Sequence, residues 1–249
     1  MRIRLDKLLC EKGIVPSRER AQALVLAGKV LVDGKKIEKA GTAVEVSSEI
    51  RLLGPDLKYV SRAGQKLEHA LLHWKINVEG KVCLDVGAST GGFSDCLLEH
   101  GARRVIAVDT GYGQIALRLR NDARLRLLEK TNARYLTREQ LGEVIDVIAL
   151  DVSFISATLV LPAVVAAAFP ESPEARCGRT LVVLVKPQFE AGRDNVGKGG
   201  IVKDPQTQRQ TVDKVQNAVR ILGAVTIEFI ESPILGAEGN REFLLCARF

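Results

Sequence analysis

Two charged residues stand where apolar strands should end. Asp151 follows Val147-Ile148-Ala149-Leu150, and Lys186 follows Leu181-Val182-Val183-Leu184-Val185. A charge abutting a buried strand either pairs or acts, because a lone buried charge is expensive. An Asp151–Lys186 salt bridge meets that demand with or without a chemical role, so the pair alone leaves both readings open. What such a pair can do is move a proton, since a lysine amine becomes a base once its surroundings disfavour its charged form. A third feature supplies a place for a ligand. Leu84-Asp85-Val86 runs into the glycine-rich turn Gly87-Ala88-Ser89-Thr90-Gly91-Gly92 and then Phe93. Glycines there let backbone approach a ligand where a Cβ would collide, and Asp109, closing the next strand, stands where a carboxylate can hold ribose hydroxyls. The turn lacks the G-x-G-x-x-G spacing of a pyrophosphate cradle, which argues against a dinucleotide and a nicotinamide-dependent oxidoreductase.

The elements that must position these residues alternate from Lys81 onward. Predicted strands are Val82–Val86, Arg104–Asp109, Leu125–Leu128, Val144–Leu150, Thr180–Val185, Ala224–Ile230 and Glu242–Phe249. Predicted helices lie near Phe93–His100, Gln114–Arg120, Ala157–Ala168 and Gln206–Leu222. This is the α/β class, a Rossmann-like doubly wound sheet with helices on both faces. Ligands in such sheets bind beyond the C-terminal strand ends, which groups Gly87, Asp109, Asp151 and Lys186 around one crevice. A helix from Ser61, burying Leu67, Ala70 and Leu71, precedes the first of these strands. The glycine-containing segment from Gln188 to Asp204, with Arg193, Lys198 and Lys203, is expected to be a long mobile loop.

The first part of the chain has a different texture. Leu5-Asp6-Lys7-Leu8-Leu9 is amphipathic, Gly13 stops it, and Pro16-Ser17 opens a helix over Arg18–Ala27 that Gly28 ends. Val30-Leu31-Val32 then turns at Asp33-Gly34 into Lys35-Lys36-Ile37 as a tight hairpin. Gly54-Pro55 within Leu53–Lys58 marks a linker, giving a small α+β domain over 1–58 and a larger one over 59–249. Of the net charge of +6, residues 1–60 carry +4, with 12 Lys/Arg against 8 Asp/Glu. A basic module ahead of a nearly neutral one suggests a polyanionic partner such as nucleic acid.

Several classes are disfavoured. The five cysteines, Cys10, Cys83, Cys96, Cys177 and Cys246, form no C-x-x-C pair and read as reduced thiols of a cytoplasmic protein. His69, His73 and His100 form no metal pattern, so no metal is expected. Met1-Arg2-Ile3-Arg4-Leu5-Asp6-Lys7 lacks the apolar stretch of a signal peptide, and the apolar tract Ile155–Phe169 falls short of the roughly 20 residues that cross a bilayer.

At this point resemblances add to the residues. Asp85-x-Gly87-x-x-x-Gly91 resembles the S-adenosylmethionine site of Rossmann-like methyltransferases. Arg4-Leu5-Asp6-Lys7-Leu8-Leu9, Ser17-Arg18-Glu19-Arg20-Ala21 and Ala27–Gly34 resemble the S-four-type RNA-binding domain. Taken with Ser61–Leu67, Asp151-Val152-Ser153-Phe154-Ile155, Val185-Lys186-Pro187-Gln188-Phe189 and Gly239-Asn240-Arg241-Glu242-Phe243, the chain resembles the TlyA family of 16S/23S ribosomal RNA cytidine-2′-O-methyltransferases, historically labelled haemolysins. The resemblance spans essentially the whole chain. It implies an FtsJ-like catalytic tetrad of Lys66, Asp151, Lys186 and Glu242, with Glu238 as the alternative last member and Lys186 as the base. It implies S-adenosylmethionine as cofactor, held by Asp85, Gly87, Ala88, Ser89, Gly91, Gly92, Phe93, Asp109, Asn132 and Asp151. It implies ribosomal RNA within ribosomal subunits as partner, contacted by Arg4, Lys7, Arg18, Arg20, Lys29, Lys35, Lys36, Arg62, Arg193 and Lys198. No membrane partner is expected, and a monomer is. The alternatives are a noncatalytic RNA-binding protein and a membrane-active haemolysin.

Overall fold

A computed structural model describes residues 2–15, 17–26, 28–53, 58–236 and 238–249, the Arg193 side chain excepted. Pro16, Ala27 and most of the predicted linker, 54–57, lie outside the described residues. The chain divides into two compact units, Met1–Leu57 and Lys58–Phe249.

The first unit contains β1 (Arg2–Arg4), α1 (Leu5–Glu11), α2 (Arg18–Leu26), β2 (Val30–Val32), β3 (Lys35–Ile37), β4 (Ala43–Glu45) and β5 (Ile50–Leu52). Its core is the apolar faces of the two helices, Leu5, Leu8, Leu9, Ala21, Leu24 and Val25, closed by Val30, Val32 and Val44. The predicted Asp33-Gly34 turn is present with both residues at positive φ, 49° and 75°, matching the right-handed twist of the β2–β3 hairpin. Ser17 Oγ accepts from the Arg20 N–H at 3.2 Å, the predicted cap. Strands β1, β4 and β5 were not predicted. Each is three residues long, and β1 and β4 present mostly exposed side chains, so no alternation is long enough to read.

The second unit runs α3 (Ala63–His73), β6 (Val82–Val86), α4 (Gly92–Glu99), β7 (Arg104–Val108), α5 (Leu117–Arg120), β8 (Leu125–Leu128), α6 (Arg138–Leu141) and β9 (Val147–Leu150). It continues with α7 (Ala157–Ala168), α8 (Pro173–Arg176), β10 (Thr180–Val185), α9 (Pro187–Glu190), α10 (Pro205–Ile221), β11 (Thr226–Glu231) and β12 (Phe243–Arg248). The seven strands form one sheet in the order β11-β12-β10-β9-β6-β7-β8, with β12 antiparallel to both neighbours and the other pairs parallel. Strands β6, β9 and β10 are buried at every position, as central parallel strands covered on both faces must be. On one face α7 and α10 contribute Leu161, Val164, Val212 and Val215, with Phe169 just past the end of α7. On the other, α3 and α4 contribute Leu67, Ala70, Leu71 and Leu97, with Trp74 just past the end of α3, each large apolar side chain adding roughly 1.5–3 kcal/mol by leaving water.

Two predicted elements begin three residues later than expected. The strand from Val144 begins at Val147, because the Asp146 carboxylate accepts from the Val82 N–H (3.0 Å) and pairs with Arg179, making 144–146 an anchored turn. The helix from Gln114 begins at Leu117, because the Ala116 N–H is drawn to the Thr90 carbonyl at 3.2 Å and the Ile115 side chain lies against Gly91. Among the described residues no helix is long and apolar enough to cross a membrane.

Candidate active site

Parallel strands bring the loops after β6, β7, β8, β9 and β10 to one edge of the sheet, and these loops line a cleft of about 870 Å³. Gly87 is where two of them cross. Its φ is +88°, and a Cβ there would lie 2.3 Å from the Asp151 carbonyl oxygen, so only glycine lets the β6 loop pass over the β9 loop. Gly92 plays a second steric role. A Cβ on it would meet Ser61 Oγ at 2.2 Å and Ala63 Cβ at 3.0 Å, so it seats the start of α3 against α4.

Asp109 turns toward this loop. Its Oδ2 accepts from the Ser89 N–H at 2.8 Å and its Oδ1 from the Gly111 N–H at 2.7 Å. Each carboxylate oxygen keeps a lone pair, so a half-buried, pre-oriented Asp109 can accept from two vicinal hydroxyls. Ala88, Ser89, Gly92, Phe93 and Asn132 also line the cleft, and Asn132 Oδ1 is engaged by the Arg134 N–H at 3.1 Å.

Two of the implied cofactor residues do not reach the cleft surface. Asp85 is fully buried under the loop, where its Oδ2 accepts from the Ser94 N–H (2.8 Å) and Oγ–H (2.6 Å) and its Oδ1 has no protein partner. It ties β6 to α4. Gly91, at φ +97°, caps α4 and faces Leu119 and Ile115.

Burial pushes the Asp85 carboxyl up to about 7 from an ordinary 3.8. The folded state therefore holds this proton after the unfolded chain has released it. The resulting contribution to stability is fully present below pH 3.8 and is lost as pH rises through about 7. Asp85→Asn is expected to abolish that dependence. Urea unfolding at pH 5 and pH 7.5 should show the wild type losing about 2 kcal/mol more than the variant; equal losses would contradict the assignment.

The four residues of the implied tetrad all line the cleft, as two ion pairs. Lys186 Nζ lies 2.5 Å from Asp151 Oδ1 and donates to Ser153 Oγ at 2.8 Å. Of the three donors of an ammonium only the one to Ser153 is spent in a hydrogen bond, so the amine, paired with Asp151 by charge, keeps a donor direction for the cleft. Lys66, from α3, pairs with Glu242; their side chains are 10% and 3% exposed. Gly236 makes room for this carboxylate, since a Cβ there would lie 2.6 Å from Glu242 Oε1. Antiparallel pairing ends at Val185↔Phe243, so Lys186 and Glu242 occupy the next position on adjacent strands. Glu238 also lines the cleft but is exposed, whereas Glu242 holds the buried lysine.

Residues 59–249 match the FtsJ-like methyltransferase family, and residues 3–50 match the S4 domain. The 16S/23S rRNA (cytidine-2′-O)-methyltransferase TlyA of Mycobacterium tuberculosis is 43% identical over 248 residues, 99% of this chain and 90% of that protein. Hemolysin A of Brachyspira hyodysenteriae is 41% identical over 97% of this chain and 98% of that one. A solved structure described as a hemolysin from Streptococcus thermophilus superposes with a TM-score of 0.73 at 38% identity, covering 99% of this chain and 88% of that one. The chain belongs to the TlyA family. It is an S4 domain joined to an FtsJ-like methyltransferase.

Within this TlyA-family chain the basic residues singled out in the S4 unit are engaged in different ways. Asp6 is fully buried and accepts from Arg4 (3.0 and 2.8 Å), Arg18 (3.1 Å) and Gln22 (3.0 Å). Above all the Arg4 guanidinium holds its carboxyl well below the usual range. Arg18 and Gln22 thus pin α2 to α1 and Arg4 ties the end of β1 to the same carboxylate, a structural duty that the RNA-contact expectation for Arg4 and Arg18 did not include. Lys7 pairs with Glu11 and Lys36 with Glu38, while Lys29 and Lys35 have no carboxylate partner among the described residues. Arg62 is exposed at the cleft, and Lys198 is exposed on the 188–204 loop.

That loop is not free along its length as expected. Buried Asn240 accepts from the Val202 N–H (3.0 Å) and donates to the Gly200 carbonyl (2.8 Å), and Gln208 donates to the Val202 carbonyl (2.8 Å).

Two residues, one behind the site and one in it, do what the sequence alone does not show. Glu190 is buried where it accepts from the Ala157 N–H (2.6 Å) and Ser156 Oγ–H and pairs with Lys214 (3.3 Å). It joins the turn after Lys186 to the start of α7, which has no acidic residue of its own in its first turn. Phe154 lines the cleft 91% exposed at φ +65°, an outlying conformation for a phenylalanine, with its ring 5.4 Å from that of Phe189. In the sequence its one signal is an aromatic placed directly after Ser153 and three residues past Asp151.

Proposed function

We propose that this protein transfers a methyl group from S-adenosylmethionine to the ribose 2′-hydroxyl of a cytidine in ribosomal RNA. The observation that carries the proposal is the Lys186 amine, held by Asp151 and Ser153 with one direction open at the end of the cleft that the Gly87 loop begins. The residues fit the cofactor. Gly87 lets the β6 loop pass against the β9 loop at the cleft's edge, Ala88 and Ser89 offer backbone along it, Asp109 suits a ribose diol, and Thr131–Arg134 border the far end. When bound, the cofactor supplies a methyl group on a sulfonium, open to in-line displacement.

The chain's own residues supply the rest. The Lys186 amine is placed to take the 2′-hydroxyl proton as the ribose oxygen displaces sulfur from the methyl carbon, and Asp151 would balance the ammonium that results. Lys66 and Glu242, paired and buried beside it, fix the α3 side of the cleft. Much of the acceleration comes from alignment, which can supply roughly 7–11 kcal/mol. Phe154 offers an exposed face on which a base drawn out of its helix can stack, offsetting an unstacking cost of a few kcal/mol. The domain reading follows the same line: 1–58 binds structured RNA through Lys29, Lys35, Lys36 and its other surface cations, and 59–249 carries the chemistry. We place the protein in the cytoplasm with the ribosome, acting as a monomer.

Purified protein should bind S-adenosylmethionine in a calorimeter and pass its radiolabelled methyl group to isolated ribosomal subunits lacking the modification. Cofactor binding without transfer to either subunit would contradict the proposal.

A further inference from the structure

Only three Phe, Tyr or Trp side chains are exposed among the described residues, and all three follow parallel strands on the same sheet edge. They are Tyr112 after β7, Tyr135 after β8 and Phe154 after β9, at 70%, 70% and 91% exposure. Phe154 belongs to the site already described. Tyr112 and Tyr135 lie past the cofactor end of the cleft, toward the β8 edge of the sheet, where nothing in the proposed chemistry requires an aromatic ring.

The charge of this stretch is as uneven as its aromatics. Residues 103–143 hold nine Lys/Arg against five Asp/Glu. Seven of the nine are taken up by carboxylates or backbone carbonyls of the same unit. The two left without such a partner among the described residues are Lys130 and Arg134, and each lies over one of the exposed tyrosines. Lys130 Nζ is 4.7 Å from the Tyr112 ring centroid, and the Arg134 guanidinium carbon is 5.4 Å from that of Tyr135. The two loops are also tied together, with the Lys130 N–H donating to the Gly111 carbonyl at 3.0 Å and the Gly113 N–H to Glu129 at 2.8 Å.

We infer that Tyr112/Lys130 and Tyr135/Arg134 form a second RNA contact, on which unpaired nucleotides flanking the target stack while the two cations meet their phosphates. An exposed ring beside a cation with no carboxylate partner is the combination that holds single-stranded nucleic acid without reading its sequence, since every base has a π-face and every nucleotide a phosphate. The inference rests on the RNA-methyltransferase reading. It adds a direction, with the strand running from Phe154 across the cofactor end of the cleft to the β8 edge.

The test uses the full chain and isolated unmodified ribosomal subunits, measuring subunit affinity, cofactor affinity and the division of activity between KM and kcat. Tyr112→Ala/Tyr135→Ala is expected to raise KM and the subunit Kd at least about tenfold, with kcat and cofactor Kd within about twofold of wild type. Tyr112→Phe/Tyr135→Phe should restore both, because the ring does the work. Lys130→Met and Arg134→Met should each lower the salt dependence of subunit binding by about one counterion. Unchanged subunit affinity in the double alanine variant would overturn the inference, as would an equal loss of cofactor affinity, which would assign the rings to the cofactor site. A wild type that transfers no methyl to RNA would instead sink the functional reading itself.

Discussion

Lys186→Ala is expected to lower kcat for methyl transfer by about 10²–10⁴-fold, the range over which a positioned base contributes, with cofactor affinity within about threefold of wild type. The separation follows from geometry. Lys186 meets Asp151 and Ser153 at the end of β10, whereas the surfaces that fit the cofactor come from the loops after β6, β7 and β8. Lys186→Arg sharpens the test. A guanidinium preserves the charge beside Asp151 but cannot give up a proton near neutrality, so it should be as inactive as alanine if the amine is a base. An active arginine variant would reassign Lys186 to charge stabilisation. Single-turnover rates at saturating cofactor are the measurement, and an alanine variant keeping more than a tenth of the wild-type rate would contradict the role.

The second large effect concerns stability. Lys66 and Glu242 form an ion pair between side chains 10% and 3% exposed, joining α3 to the strand end before β12. Removing one partner leaves the other charge buried and uncompensated, which typically costs about 3–5 kcal/mol, whereas replacing both by apolar groups of similar volume is often neutral or better. Glu242→Ala should therefore lower unfolding free energy by about 3–5 kcal/mol, and Lys66→Met/Glu242→Leu should return it to within about 1 kcal/mol of wild type. Both variants should lose methyl transfer. The pair is thus read as chemistry retained at a cost in stability. Urea unfolding of the three proteins decides it: a Glu242→Ala penalty below about 1 kcal/mol would show that the pair is not buried in the sense claimed.

Much of this architecture was legible in the sequence because its signals are local. The runs Val82–Val86, Leu125–Leu128 and Thr180–Val185 appear as strands with the predicted bounds, since each apolar run is as long as the strand it forms. The crevice rule brought Gly87, Asp109, Asp151 and Lys186 to one edge without coordinates. What could not be read depends on partners distant in the chain. Nothing near Arg4 or Arg18 announces that both will close on a buried Asp6, and a basic helix reads the same whether its cations face solvent or a carboxylate. Asp85 carries the motif's spacing, yet its side chain points beneath the loop because the Ser94 amide and hydroxyl capture it. The 188–204 segment reads as mobile from its glycines, and only Asn240, some forty residues on, shows where it is fastened. Glu190 was invisible for the same reason, since its hydrogen bonds reach back to Ser156 and Ala157.

The central claim is that the methyl group goes to a ribose oxygen of a cytidine. After reaction of the protein with unmodified ribosomal subunits and labelled cofactor, the RNA would be digested to nucleosides and the label located by mass spectrometry. The account predicts 2′-O-methylcytidine, absent with Lys186→Ala. Label on a base, or on the ribose of another nucleoside, would contradict it.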